Sequence, residues 1–312
     1  MRIAVYVPLL LSLLAPLGAR PLTERCEPRL ATWLLTVSSL VLGTATTISL
    51  GLLAAAGLVR LPLLAGLGHW SASGARDADP ARGAVALAAG PLLVAALVTV
   101  ARMLWRRART LTAATLDAAC MPAHDGLVVV EDAAPDAYAL PGLPGRVVVS
   151  RGMLDALPEG EHEILLAHER AHLAAHHYAF VTLAQLGAAA NPLLRPYASA
   201  VGYTIERWAD ENAAAGTGDR RRVAHAVGRA ALASHRRPPL TRLTDAALGI
   251  LGRGPLTKAG PVPRRVAALL APPLRRHPGL TAATAAVLAA ATLTTTEAAH
   301  DLHVLLMGIG AW

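Results

Sequence analysis

A histidine and glutamate pair, followed three residues later by a second histidine, is the strongest chemical signal in this 312-residue sequence. Residues 168–172 read H-E-R-A-H, which places His168 and His172 at positions i and i+4. On a helix these positions share one face about one turn apart, where two imidazoles can bind one zinc ion. Glu169 is then placed to take a proton from water that zinc activates. The pattern predicts a metal-dependent hydrolytic site, and an exposed histidine-rich helix is the alternative.

A catalytic zinc site needs three protein ligands and one open position, and the sequence offers two sources for the third ligand. One source is the pair His176 and His177, which continue the predicted helix. A ligand at His176 would stack three histidines on one straight face, which makes tetrahedral closure hard. The other source is Glu206, on a separate predicted helix. Asp210 follows four residues later on the same face and can accept a hydrogen bond from a ligand imidazole. A solvated acidic helix face is the competing interpretation of Glu206 and Asp210.

Four other polar residues are weaker candidates. His225, on the next predicted helix, could donate a hydrogen bond to the oxyanion of a tetrahedral intermediate. Arg264 and Arg265 either support the site or, as adjacent arginines commonly do, remain solvated or bind anionic lipid. Tyr203 could act as a hydrogen-bond donor. For each of them a plain surface or core role is the favoured interpretation.

Four apolar stretches predict that the chain is mainly α-helical and crosses a membrane four times. Hydrophobic residues make up 54% of the chain and charged residues 16%, whereas about 25% are charged in ordinary soluble proteins. Ala and Leu supply most of the apolar residues and favour helix. A span needs about 20 mainly apolar residues. The stretches lie at 3–19, 31–59, 84–105 and 279–296.

The first stretch has a second interpretation, as a signal peptide. Arg2 precedes an apolar run that ends in the small residues Gly18 and Ala19, which is typical of such peptides. Pro8 and Pro16 interrupt the run, and further spans follow directly. We therefore expect a retained span.

The segment between the third and fourth stretches is the place for a folded soluble domain. Three short β-like runs with turn residues between them predict a small sheet or hairpin. They lie at Leu127–Glu131, Ala137–Leu140 and Arg146–Ser150. Helices are predicted at 106–120, 151–157, 159–177, 179–190, 199–216 and 220–235, followed by a looser Gly-, Pro- and Arg-rich segment at 238–273. The predicted domains are a membrane domain at 1–105, a soluble domain at 106–277, and a fourth span with a short tail at 278–312.

The distribution of arginine predicts the orientation in the membrane, because cytoplasmic loops carry an excess of basic residues. Arg102, Arg106, Arg107 and Arg109 follow the third span, and Arg275 and Arg276 precede the fourth. No Lys or Arg follows Arg276. We therefore expect the soluble domain in the cytoplasm and the C-terminal tail outside the cell. Counting back places the N-terminus outside, loop 20–30 inside and loop 60–83 outside.

Composition also argues against two other classes of protein. The formal charge is +8, but no groove-reading motif or basic helix points to direct nucleic-acid binding. Cys26 and Cys120 form no CxxC pair, so neither a disulfide framework nor a cysteine metal site is indicated.

Three segments together resemble a known family. They are V-V-V-S-R-G-M-L-D-A-L-P at 147–158, H-E-R-A-H-L-A-A-H-H at 168–177 and E-R-W-A-D at 206–210. The chain is similar in these segments to the BlaR/MecR-type membrane metallopeptidases, gluzincins related to the HtpX and CAAX-prenyl-protease group. The resemblance implies a cytoplasmic, helical gluzincin domain that binds one zinc ion through His168, His172 and Glu206. It also implies Glu169 as the general base and Asp210 as the support of a ligand histidine.

The resemblance implies a protein substrate, with a transcriptional repressor in a regulatory cascade as the first expectation. Two features depart from the family. Its antibiotic sensors carry a large extracellular penicillin-binding domain after the last span, whereas a short tail stands here, so we expect no direct β-lactam sensing. His177 occupies a position where many relatives have an acidic residue. Two other functions remain open at this point: HtpX-like quality control of membrane proteins, and a non-catalytic zinc-binding signalling scaffold.

Overall fold

A computed structural model describes residues 4–58, 80–235 and 260–308 of the chain. Within these ranges the protein is mainly helical and contains one three-stranded sheet, which confirms the predicted fold class at that level. Most of the predicted loop over 60–83, and the end of the predicted C-terminal tail, fall outside the described residues.

The predicted first span consists of two helices joined at a bend. A 3₁₀ turn at Ala4–Tyr6 leads into α1 (Val7–Leu13), and α2 (Ala15–Arg25) follows at an angle of 52°. The break falls at Leu14, two residues before Pro16, which cannot donate the backbone hydrogen bond that would continue the helix. The pair counts as a fourth span only if the two helices together form one broken span.

The other predicted spans are single long helices. They are α3 (Pro28–Leu58), α4 (Pro80–Cys120) and the C-terminal helix Pro278–Gly308, which is α11 in chain order. All three are long and apolar enough to cross a membrane. The described part of the chain therefore holds three candidate spans, or four with the bent pair.

Helix α4 passes through the predicted domain boundary at residue 105 without a break. No Gly or Pro occurs between Pro91 and Cys120, so nothing in this stretch interrupts the helix. The predicted helix over 106–120 is thus the end of α4 rather than a separate element. The division of the chain into domains stays a prediction.

The N-terminal helices run antiparallel to α3. Val5 clusters with Leu50 and Leu53 near the end of α3. Leu22 and Cys26 cluster with residues near its beginning. The residues at these two contacts are small or branched, which allows close contact between helices in an apolar environment.

The sheet supports the helix that carries the histidine motif. It contains β1 (Leu127–Val130), β2 (Ala137–Leu140) and β3 (Arg146–Ser150). Strand β3 is central, parallel to β1 and antiparallel to β2. One face of the sheet packs on Leu165 of the motif helix, and the other packs on Ala114 and Ala118 of α4. The sheet therefore fixes the position of the motif helix relative to the C-terminal end of α4.

Six further helices complete the described fold. In chain order they are α5 (Arg151–Ala156), α6 (Glu159–Ala174), α7 (His177–Ala190), α8 (Arg195–Thr217), α9 (Arg220–His235) and α10 (Pro261–Leu270). Two predictions are wrong in detail. The motif helix ends at Ala174 instead of continuing to 177, and residues 261–270 of the segment predicted to be loose are helical. The rest of that segment up to residue 259 lies outside the described residues.

Helices α3 and α7 cross at two glycines. A Cβ atom on Gly187 would lie 2.2 Å from the carbonyl oxygen of Ser39, and one on Gly43 would lie 2.9 Å from the Cα of Gly187. Ser39 Oγ also donates a hydrogen bond of 2.8 Å to the carbonyl oxygen of Ala184. The crossing therefore depends on the absence of side chains at both glycines.

We expect Gly187→Ala to destabilise the protein by about 1–3 kcal/mol, since the added methyl group forces two packed backbones apart. Gly202→Ala is the matched control, because a Cβ at Gly202 meets no atom of the described residues within 4 Å and alanine favours helix over glycine by about 0.5–1 kcal/mol. Thermal unfolding in detergent measures both. Equal melting temperatures for the two variants would contradict the close crossing.

Candidate metal centre

The two motif histidines and Glu206 converge on one point. His168 and His172 lie on the buried face of α6, with their Nε2 atoms 3.2 Å apart. The Glu206 carboxylate, on α8, approaches from another direction and lies 3.6 Å from each Nε2 atom. One ligand atom from each residue falls within 4.8 Å of the others. Two imidazoles and a carboxylate in this arrangement can hold one metal ion.

Glu169 is completely buried beside this cluster. Neither of its carboxylate oxygens has a hydrogen-bond partner among the described residues. A buried carboxylate without a partner is costly, so its retention is typical of a group that acts on something bound in the site. Burial raises the pKa of Glu169 to about 7.

Asp210 stands one turn beyond Glu206 on α8, behind His168. Its Oδ1 lies 3.1 Å from His168 Nδ1, while His168 Nε2 faces His172 and Glu206. A carboxylate in this position fixes the ring orientation of a ligand imidazole. The structure therefore brings together five of the candidate residues named from the sequence: His168, Glu169, His172, Glu206 and Asp210.

Arg265, on α10, binds both carboxylates of α8. Its Nη2 and Nε donate to Asp210 at 2.6 and 2.8 Å, and its Nη1 lies 2.9 Å from Glu206 Oε2. Only 1% of Arg265 is exposed. The favoured interpretation of Arg265 as a solvated residue is therefore wrong: the side chain is buried in the metal cluster. Its neighbour Arg264 points the other way, toward the ring of Tyr203 and the carboxylate of Glu24.

Helix α10 is the element that brings Arg265 into the site, and it was not predicted. Val262, Val266 and Leu269 stand at helical spacing and pack against α9. Proline in the first turn also favours a helix start, so the sequence did contain a signal. Arg220 secures the other end of α10 by donating to the carbonyl oxygens of Leu269 and Ala268 at 3.0 and 2.9 Å.

The second motif histidine is supported by a histidine. His177 begins α7 after His176 adopts a left-handed conformation with φ of 51°, which ends α6 and reverses the chain direction. His177 Nδ1 then lies 2.9 Å from His172 Nδ1 and is completely buried against Trp208. His176 is exposed. Neither residue joins the metal cluster as a ligand, and His177 instead orients His172.

His225 differs from the residues of the cluster because its side chain is not buried. It is exposed on α9, whereas its neighbours Val223, Ala226 and Val227 form the buried side of that helix. Among the described residues no contact marks it as an oxyanion donor, and that role stays a prediction.

Residues 101–194 match the model of Peptidase family M48. This is a gluzincin-type metallopeptidase family. The M48 segment contains His168, Glu169 and His172 but ends before Glu206, so it supports the motif independently of the third ligand. It lends no support to the narrower BlaR/MecR subtype. No curated protein and no solved structure matches the chain.

The residues in the M48 segment and on α8 fit a zinc ion. Two histidines and one glutamate, with a fourth position open, are one ligand set of zinc in hydrolytic sites, and His168, His172 and Glu206 match this set. Each histidine has its Nδ1 held by another side chain, Asp210 for one and His177 for the other. This leaves both Nε2 atoms free to bind the metal.

The charge of Arg265 stabilises the ionised carboxylates of Glu206 and Asp210. Burial by itself would raise the pKa of Glu206, but the positive charge of Arg265 outweighs burial and lowers that pKa to about 2. The pKa of Asp210 is lowered for the same reason. Burial lowers the pKa of His172 to about 4. Burial also disfavours charge on His168, but the hydrogen bonds to Asp210 and Glu206 outweigh it and raise the pKa to about 10.

We expect His177→Phe to weaken zinc binding about 10–100-fold, because the variant keeps an aromatic ring against Trp208 but removes the partner of His172 Nδ1. The matched control is His176→Asn, which changes the exposed neighbour and tolerates the left-handed conformation. Competition with a fluorescent zinc chelator gives both affinities. If the two variants bind zinc equally well, His177 does not orient His172.

Proposed function

We propose that the chain is a membrane-bound zinc endopeptidase that hydrolyses peptide bonds of a protein substrate. The observation that carries the proposal is the convergence of His168 Nε2, His172 Nε2 and a Glu206 oxygen within 4.8 Å. Beside them lies the buried Glu169 carboxylate, which has no hydrogen-bond partner among residues 4–58, 80–235 and 260–308. The match of residues 101–194 to a metallopeptidase family supports the same reaction. A scaffold that held zinc only for folding would not need Glu169.

Zinc, when bound, would supply a Lewis acid that polarises the scissile carbonyl and acidifies water. The chain supplies the rest of the chemistry. His168, His172 and Glu206 bind the ion, and Asp210 and His177 orient the two imidazoles. The Glu169 carboxylate accepts a proton from the attacking water, whose oxygen bonds to the carbonyl carbon. Glu169 then gives that proton to the amide nitrogen as the C–N bond breaks, so that water is added across the bond.

The proposed location of this site is the cytoplasmic face of the cell membrane. The three candidate spans support a membrane protein, and the arginines at the ends of the third and fourth spans support the orientation. The end of α4 that carries the sheet is the end next to Arg106 and Arg107. A reporter fused after Trp312 should accordingly behave as extracytoplasmic, and cytoplasmic activity of the reporter would reverse the topology.

The proposed substrate is a transcriptional repressor cleaved in regulatory signalling. Quality control of misfolded membrane proteins is the second candidate, and the family match covers a segment that serves either function. Comparison of cellular proteomes with wild-type and inactive protein separates them. One accumulating repressor supports signalling, whereas many accumulating membrane proteins support quality control.

Metal removal tests the proposed reaction itself. The full chain, purified in detergent and dialysed against a chelator, should lose cleavage of an unfolded protein substrate and regain it with one zinc ion per chain. Elemental analysis gives the stoichiometry. Cleavage that persists without metal would show that the peptidase proposal is wrong.

A further inference from the structure

The turn between α7 and α8 presents an apolar surface beside the bend of the N-terminal helices. The turn is a 3₁₀ segment, Pro192–Leu194. Pro192 and Leu193 face outward, while Leu194 is completely buried against residues of α2 and α3. Next to the turn, the bend exposes Leu13, Leu14 and Leu17, at 57%, 54% and 71%. We call these five outward-facing residues the leucine tip: Leu13, Leu14, Leu17, Pro192 and Leu193.

The leucine tip lies alongside the middle of a candidate membrane span. Asn191, which precedes the turn, donates from Nδ2 to Thr46 Oγ1 at 3.1 Å, and Ser12 Oγ lies 3.2 Å from the same Thr46 atom. Thr46 stands well inside α3, with twelve further residues of that helix beyond it. The turn therefore extends past the beginning of α3 and along the apolar part of the helix.

The backbone of the turn is saturated with hydrogen bonds. The Asn191 N–H donates to Gly187 O at 2.9 Å, Leu193 N–H to Asn191 Oδ1 at 3.1 Å and Leu194 N–H to Asn191 O at 3.0 Å. The Arg195 N–H donates to the Pro192 carbonyl oxygen. Positions 192 and 196 are prolines, which have no N–H. From residue 191 to 196 every backbone N–H is thus hydrogen-bonded or, at the prolines, absent. A backbone in hydrocarbon requires this, because no water is available there to accept the hydrogen bonds.

Two exposed arginines border the leucine tip. Arg195 follows the turn directly, and Arg20 stands one helical turn after Leu17 with 81% of its side chain exposed. Arginine beside membrane-inserted residues extends its guanidinium to the headgroup layer while its stem stays among apolar groups. The order of apolar tip and flanking arginine matches the order of acyl chains and phosphates in one leaflet.

We propose that the leucine tip is inserted into one leaflet of a phospholipid bilayer, with Arg195 and Arg20 at the headgroups. Helix α7 has 14 residues and is therefore about 20 Å long. It begins at His177, which contacts His172, and it ends at the inserted turn. The insertion fixes the distance of the metal centre from the acyl chains. This inference depends on the membrane location and not on peptidase activity, so the two proposals can fail separately.

A depth measurement in vesicles tests the insertion. The full chain, with Cys26→Ala and Cys120→Ser, would carry a single Leu193→Cys labelled with an environment-sensitive fluorophore. Vesicles of phosphatidylcholine and phosphatidylglycerol would contain lipids with a nitroxide on the acyl chain. The label at 193 should be quenched several-fold more strongly by these lipids than by iodide in the water.

The matched control is Leu232→Cys on α9, a leucine that is also exposed, at 63%, and lies on the zinc-binding half of the protein. Its label should show the opposite order of quenching. A second variant, Leu17→Cys, repeats the test on the other part of the leucine tip if Leu193→Cys fails to fold. Iodide quenching at 193 and 17 equal to that at 232 would overturn the insertion. Disulfide formation between two unlabelled copies of Leu193→Cys, with no nitroxide quenching of the labelled protein, would overturn it in favour of a protein interface.

Discussion

Glu169→Gln should reduce peptide hydrolysis by about 10²–10⁴-fold, the usual contribution of a positioned general base. The amide is nearly the same size as the carboxylate but cannot accept the proton of water. Both Glu169 oxygens are buried without a hydrogen-bond partner in the described part of the chain, so loss of the charge removes no hydrogen bond that the structure shows there. We therefore expect unchanged zinc content and an unfolding temperature at least as high as that of the wild type.

Cleavage rate, zinc stoichiometry and thermal unfolding must be measured on the same preparation. Glu163→Gln provides the control, because Glu163 lies on the exposed face of the same helix. That variant should cleave at the wild-type rate. Wild-type activity in Glu169→Gln would rule out Glu169 as the base and, with it, the mechanism proposed for this site.

Arg265→Met should destabilise the protein by about 3–5 kcal/mol and weaken zinc binding, because it leaves two buried carboxylates without their counter-charge. Asp210 would lose both of its short hydrogen bonds from Arg265, and Glu206 would lose the contact at Oε2. That contact engages one Glu206 oxygen and leaves Oε1 facing His172. Arg265→Lys restores one charge but not the planar fork that reaches both carboxylates, so we expect partial recovery of zinc affinity.

Arg264→Met is the matched control for this experiment. The two arginines are adjacent on α10, but Arg264 stacks on Tyr203 outside the cluster, with 39% of its side chain exposed. Its removal should leave zinc affinity unchanged. Chemical unfolding with and without zinc separates a loss of stability from a loss of metal binding. Equal zinc affinities for the two methionine variants would show that Arg265 has no part in positioning Glu206.

The membrane helices illustrate how far composition alone reaches. Long apolar runs specify helices of the right length because each residue contributes locally to hydropathy and helix propensity. The sequence thus predicted both ends of α3 and the beginnings of α4 and α11 within a few residues, whereas both α4 and α11 continue well past their predicted ends. It did not predict the bend at Leu14, since a proline identifies a possible break without determining its angle, nor the continuation of α4 beyond residue 105.

The motif histidines, Glu169 and the pair Glu206 and Asp210 were identified from the sequence alone, because helical spacing fixes which side chains share a face. The positions of Arg265 and His177 depended on tertiary structure. Arg265 lies 55 residues from Asp210, and the packing of α10 directs its side chain into the cluster. The adjacent Arg264 is the same residue type but faces outward, so the sequence alone does not distinguish the two. His177 reaches His172 only because the chain reverses at His176. Local spacing indicated the candidate metal ligands, whereas helix packing decided which residues contact them.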